Sequence, residues 1–307
     1  MSLMNKIATF VIAAGLGCCL TGCDKAAPSG QTSSSTIQRV AGFDDYWFDG
    51  TAEINRYQLS QARYGAHYEG EAVLIFVTEP FLREKQVKAD QANDPLAESV
   101  LKLNSTRSFT TGIYPYSTMT SVFSPVEVGT KPFPVKLTTS IQEWCGHTFT
   151  QANLKGGNYH TEVRSYFQVE GDRERKFVAA LSEEAVFNRI RLAPDTLPVG
   201  EIQMIPSQIF GRFYKIPSEP SPATASVEEV ENSTFTDQPH RLYRVGYVGI
   251  DREFTVAFSS DAPYQILGWS EGAKDGQTTA LLQATRKIPY WSKNKPGDEV
   301  LRDEMDF

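Results

Sequence analysis

The chain has 307 residues, with 30 Lys and Arg against 37 Asp and Glu, and a formal net charge of -7. An acidic balance of that kind argues against nucleic acid and anionic lipid headgroups as general partners. Of the 4 cysteines, Cys18, Cys19 and Cys23 fall at the start, so Cys145 alone is left for the folded part and an internal disulfide is excluded there.

Lys6 supplies a positive first region, and Ile7 to Leu20 is an apolar run broken by Gly15 and Gly17. The run is shorter than the roughly 20 apolar residues a membrane span needs. Leu20-Thr21-Gly22-Cys23 closes it with small residues before a cysteine, as in a cleaved secretory leader. This stretch resembles the bacterial lipoprotein signal, which implies cleavage before Cys23 and lipidation of Cys23. Residues 1–22 are then a signal peptide, and their removal takes away Lys6 and moves the net charge from -7 to -8. Several acyl chains, each contributing roughly 0.8 kcal/mol per buried methylene, would hold the protein stably at a membrane. The implied location is the periplasmic face of the cell envelope, and the lipid anchor is the implied membrane contact.

Residues 23–42 read as a flexible tether. APSGQTSSST is small and polar without apolar period, and about 18 residues of that kind span roughly 25 Å. The folded β domain is expected over 43–292, with two halves meeting near 217–224, and 293–307 as a charged, frayed tail. Glu71 to Thr78 is a β-branched and aromatic run, hence a buried strand. Val100 to Phe109 and Tyr116 to Val126 are further strands, joined through Gly112-Ile113-Tyr114-Pro115. Val135 to Gln151 and Tyr159 to Glu170 form a hairpin around Lys155-Gly156-Gly157-Asn158. Phe177 to Arg191 changes to a helical period, with Leu181, Ala185 and Ile190 on one face, Glu183 and Glu184 on the other, and Pro194 as the stop. SEPSPATAS reads as a loop. Ala225 to Phe235, Arg241 to Val248, Glu253 to Phe258, Gln265 to Trp269 and Thr278 to Lys287 read as strands. About a dozen short strands with regular turn signals indicate a mainly β, antiparallel fold. A strongly curved sheet or open β-barrel with one or two short helices is the expectation.

The reactive residues cluster in Glu143-Trp144-Cys145-Gly146-His147. On a continuous strand, Glu143, Cys145 and His147 share one face. They would then be a nucleophile, a base and its orienting carboxylate, or polar groups lining a ligand cavity, or a buried cysteine beside a hydrogen-bonded pair. For the apolar faces of this hairpin to coincide, paired positions must sum to an even number, such as Cys145 with Phe167. No metal-ligand spacing and no cofactor motif is read.

DYWFDGTAEINRYQLSQARYG, AVLIFVTEPFLREKQVKAD, VLKLNSTRSFTTGIYPYS and QEWCGHTF together resemble a group of uncharacterised bacterial envelope lipoproteins. Some members carry the label "septum formation inhibitor Maf"; the chain lacks the S-x-R-R motif of Maf pyrophosphatases. DREFTVAFSSDAPYQILGWSE and TTALLQATRK are similar to the closing strands of the half-barrel family of domain of unknown function 3108. That likeness implies an incomplete barrel with an apolar concave face. Three functions follow as expectations: binding of an apolar envelope molecule or partner protein, hydrolysis or acyl transfer by Cys145 with His147, or a purely structural role.

Overall fold

The computed structural model describes residues 42–305. The signal peptide, Cys23 and the tether up to residue 41 lie outside the described residues. A short helix α1 (Phe43–Trp47) seats Phe43 and Trp47 in the core, and the chain then enters the middle of a sheet. Long alternating runs give β1 (Ala52–Arg63), β2 (Ala66–Leu82), β4 (Glu98–Thr111) and β5 (Tyr114–Pro125), with a two-residue β3 (Val87–Lys88) beside β2. The positive-φ residues Tyr64 and Gly65, and Gly112 with Ile113, turn these hairpins. The march continues through β6 (Lys136–Glu143), β7 (Gly146–Lys155), β8 (Asn158–Ser165) and β9 (Arg173–Val178).

Two alanines later comes β10 (Leu181–Ser182), and helix α2 (Glu183–Leu192) follows at once. Then β11 (Gly200–Ile205), helix α3 (Gln208–Tyr214), β12 (Ser221–Val230), β13 (His240–Tyr247), β14 (Glu253–Phe258), β15 (Ile266–Ala273) and β16 (Gly276–Ile288) lead back to β1. All 16 strands form one sheet whose two edges are β9 and β10. Every pairing is antiparallel except β10 with β11. Val178 and Leu181 are three residues apart, so their Cα atoms lie within about 11 Å. The sheet must therefore curl until its edges nearly meet, which makes it an open barrel. Ala179 N–H donates to Gly157 O at 3.0 Å, which continues the β8–β9 ladder one residue beyond Val178.

Helix α2 passes through the inside of the curl, and all ten of its residues are buried. Its apolar side meets the aromatic core, where Phe187 packs edge-on to Trp269 and Phe254. Its polar side is buried as well. Asn188 donates to Leu101 O, Val122 O and Ser124 Oγ at 3.0, 3.3 and 3.0 Å. Glu183 is held by Arg252, which also reaches Glu271 at 3.3 Å, and Glu271 is paired with Arg107. The outward face expected for Glu183 and Glu184 is thus an inward one, because the helix has sheet on more than one side. The apolar concave face expected of an incomplete barrel instead surrounds a filled interior that carries buried ion pairs.

Four other expectations change. The strand expected over 135–151 is broken by a two-residue turn at Trp144-Cys145 into β6 and β7. The β7–β8 hairpin turns at Gly156-Gly157 as expected, but Thr150 pairs with Val163 and Lys155 with Asn158, an odd sum. The turn at 144–145 reverses the parity of β7, so Thr148, Thr150 and Ala152 face inward. SEPSPATAS is largely strand β12. The tail folds back: helix α4 (Val300–Asp303) brings Met305 onto Ile54 and Val73 on the outer face.

A threonine-lined cleft and its aromatic mouth

The pleat places alternate residues of β6–β9 on the inner face. Three cross-strand rows result: Ile141, Thr148 and Ser165; Thr139, Thr150, Val163 and Arg173; Leu137, Ala152, Thr161 and Arg175. Over these rows lies α3, started by Ser207, whose Oγ accepts from Ile209 N at 3.2 Å. The loop after it closes tightly on Gly211. A Cβ there would come within 2.7 Å of Ile216 O, so the position needs glycine. Lys215 ends the helix in the left-handed region at φ 59°. Between rows and helix remains a cleft of about 140 Å³, walled by Ile141, Val163, Val169, Ile216 and Pro217 on its apolar side.

Arg212 of α3 clamps the cleft to the hairpin tips. It pairs with Glu143, reaches Glu170 at 3.2 Å and lies 4.1 Å over the Phe167 ring. Arg175 pairs with Glu219. Arg173 and Lys215 also face the cleft, and neither has a carboxylate partner among the described residues. Thr161 is 6% exposed and its Oγ1 has no hydrogen-bond partner. Arg173 Nε is buried without one too.

Arg212 and Lys215 also line a wider mouth of about 410 Å³ with Tyr64, Tyr114, Tyr116, Glu143, Cys145 and others. The Tyr64 and Tyr116 hydroxyls share a hydrogen bond of 2.9 Å. Burial first, then the Tyr64 hydroxyl, hold the Tyr116 phenol well above its ordinary pKa, so it stays neutral. Arg63 stacks 4.4 Å from Tyr64 and 4.3 Å from Phe213. Trp144 is exposed and packs 5.9 Å from Tyr114.

Of the residues singled out in the sequence, Glu143 and Cys145 line this mouth and His147 does not. Cys145 sits in the exposed turn, and its N–H donates to the Tyr114 hydroxyl at 2.7 Å. His147 pairs with Gln142 across the β6–β7 ladder, and both are exposed on the outer face. The reactive trio is therefore split by the turn, with His147 on the side opposite Glu143. Native Cys145 should react with N-ethylmaleimide without unfolding, and at an unchanged rate in His147→Ala. A fall of about threefold or more in that variant would place the imidazole beside the thiol after all. Among the described residues no His, Cys, Asp and Glu grouping could hold a metal ion.

No protein-family model matches the sequence, and no curated protein matches it. Among solved structures, a β-barrel-like protein of domain of unknown function DUF1849 from Brucella abortus is similar over 77% of this chain and 97% of that chain. The identity is 8% and the TM-score 0.47.

Proposed function

We propose that this chain is a lipid-anchored, non-catalytic binding protein of the cell envelope, which takes a small apolar or amphipathic molecule into the cleft between β6–β9 and α3. One observation carries the reading: the sheet interior is filled by α2 and its aromatic neighbours, yet this cleft stays open and shares Arg212 and Lys215 with a wide aromatic mouth. Enclosed, mostly apolar clefts with a few convergent polar groups are where small molecules bind. A cleft walled by two elements suits a small molecule better than a flat protein partner. The lipobox-like Leu20–Cys23 and the likeness of four stretches to envelope lipoproteins support the anchored location, and the net charge of -7 speaks against nucleic acid.

The test is native mass spectrometry of the full-length protein extracted from membranes. Wild type should carry a small-molecule adduct at about one per chain. Thr150→Trp, which lays an indole across the middle row of the cleft, should lose it. A wild-type mass equal to the acylated polypeptide alone would sink the reading.

A further inference from the structure

The charges inside the cleft narrow the choice of ligand. Three carboxylates face it or its mouth, and all are taken: Glu143 and Glu170 by Arg212, Glu219 by Arg175. Two cations of the cleft itself, Arg173 and Lys215, are left over in a chain that is acidic overall, and Arg63 at the mouth has no carboxylate partner among the described residues either. Beside them sits a buried hydroxyl with nothing to bond. Across the β8–β9 ladder Arg173 faces Val163 and Arg175 faces Thr161. Thr161 and Arg173 are thus diagonal neighbours on one face, about 7–8 Å apart at Cα and within joint reach of one small group. A buried polar atom without a partner is costly. A guanidinium and a hydroxyl converging on one point are the donors an oxyanion takes. The walls beyond this point are apolar: Val163, Val169 and Ile216.

We propose that the ligand is a single-chain amphiphile whose oxyanion head, a carboxylate or a phosphate ester, sits between Arg173 and Thr161 with Lys215 at its open side, while its chain lies along Val163, Val169 and Ile216. This rests on the binding reading above and specifies its ligand.

The test is calorimetric titration of the purified protein with decanoate, decyl phosphate, decanol and inorganic phosphate. The two anionic chains should bind at least about tenfold more tightly than decanol, as a charge-assisted hydrogen bond implies. Arg173→Gln should erase that difference, and Lys215→Gln should reduce it severalfold. Higher salt should weaken only the anionic chains. If decanol binds as tightly as decanoate in wild type, the anion assignment fails while the cleft stands as a binding site. If inorganic phosphate binds as tightly as decyl phosphate, the ligand is a free oxyanion and the amphiphile is overturned. If no probe binds and Thr150→Trp behaves like wild type, the binding reading itself falls.

Discussion

Replacing Arg191 by leucine should lower the free energy of unfolding by about 3–5 kcal/mol, the usual cost of stranding one half of a buried ion pair. The Arg191 side chain is 0% exposed and that of Glu53 1%. The guanidinium donates to both Glu53 oxygens, at 2.6 and 2.5 Å, and lies 5.0 Å from the rings of Trp47 and Phe76. Glu53 also accepts from Asn55 Nδ2 at 2.7 Å and from the Tyr46 hydroxyl. This node ties α1, β1 and the end of α2 together, so it joins the entry of the chain to the helix inside the sheet. Burial alone would raise the Glu53 pKa, but the Arg191 charge and its hydrogen bonds outweigh it and hold the carboxyl below its ordinary range. The pair's contribution is therefore present above the unfolded carboxyl pKa of about 4.3 and lost as pH falls through the folded value. The double variant Glu53→Leu/Arg191→Leu should recover most of the loss, because it leaves no charge to desolvate. Urea unfolding of the two single variants and the double one at pH 7 checks this. Additive losses would show that the two side chains do not act as a pair.

The β class and the positions of most strands along the chain were legible because most strands alternate plainly and end at turn residues. Glu253 to Phe258 is read and found over the same residues, and Val100 to Phe109 is the centre of β4. The failures share a physical cause. Trp144-Cys145 turns the chain without a residue that favours turning, so the β-rich run on either side looked continuous. Arg173 and Arg175 alternate with Glu174 and Lys176, so β9 offers no apolar period although its arginines face inward. Small Ala223 and Ala225 hide the inward face of β12 in the same way. The outward reading of Glu183 assumed water on one side of the helix. Its actual partner, Arg252, lies 69 positions away, and local period carries no trace of that. The mouth was half legible: Glu143 and Cys145 were singled out, but Arg212, Lys215, Arg173 and the threonine rows become neighbours only through the register.

Beside Glu183 on the buried helix sits a carboxyl with a different fate, and Glu184→Gln should stabilise the protein at pH 8 while leaving it unchanged near pH 4. Glu184 Oε1 accepts from Gln208 N at 2.6 Å, linking α2 to the start of α3, but Oε2 has no partner. Burial first, then the charge of Glu183, push its pKa up to about 7. Arg252, the cation that neutralises Glu183, is already shared between Glu183 and Glu271. An acid with a raised folded pKa keeps its proton in the native state after the unfolded chain has lost it. Stability from Glu184 is then fully present below the unfolded value of about 4.3 and lost as pH rises through about 7. At 1.36 kcal/mol per unit the loss is about 4 kcal/mol. Glutamine keeps the acceptor for Gln208 N and cannot ionise, so its advantage over wild type should grow from near zero at pH 4 to about 4 kcal/mol at pH 8. Glu271 does not blur the comparison. Burial would raise its pKa, but Arg107 and Arg252 bring it down to about 2, so its contribution is lost only as pH falls below the ordinary carboxyl range. Urea midpoints of wild type and variant at several pH values between 4 and 8 read the difference directly. A gap that stays constant over that interval would mean that Glu184 is ionised in the native state throughout it, with α2 and α3 joined by a carboxylate and not by a carboxylic acid.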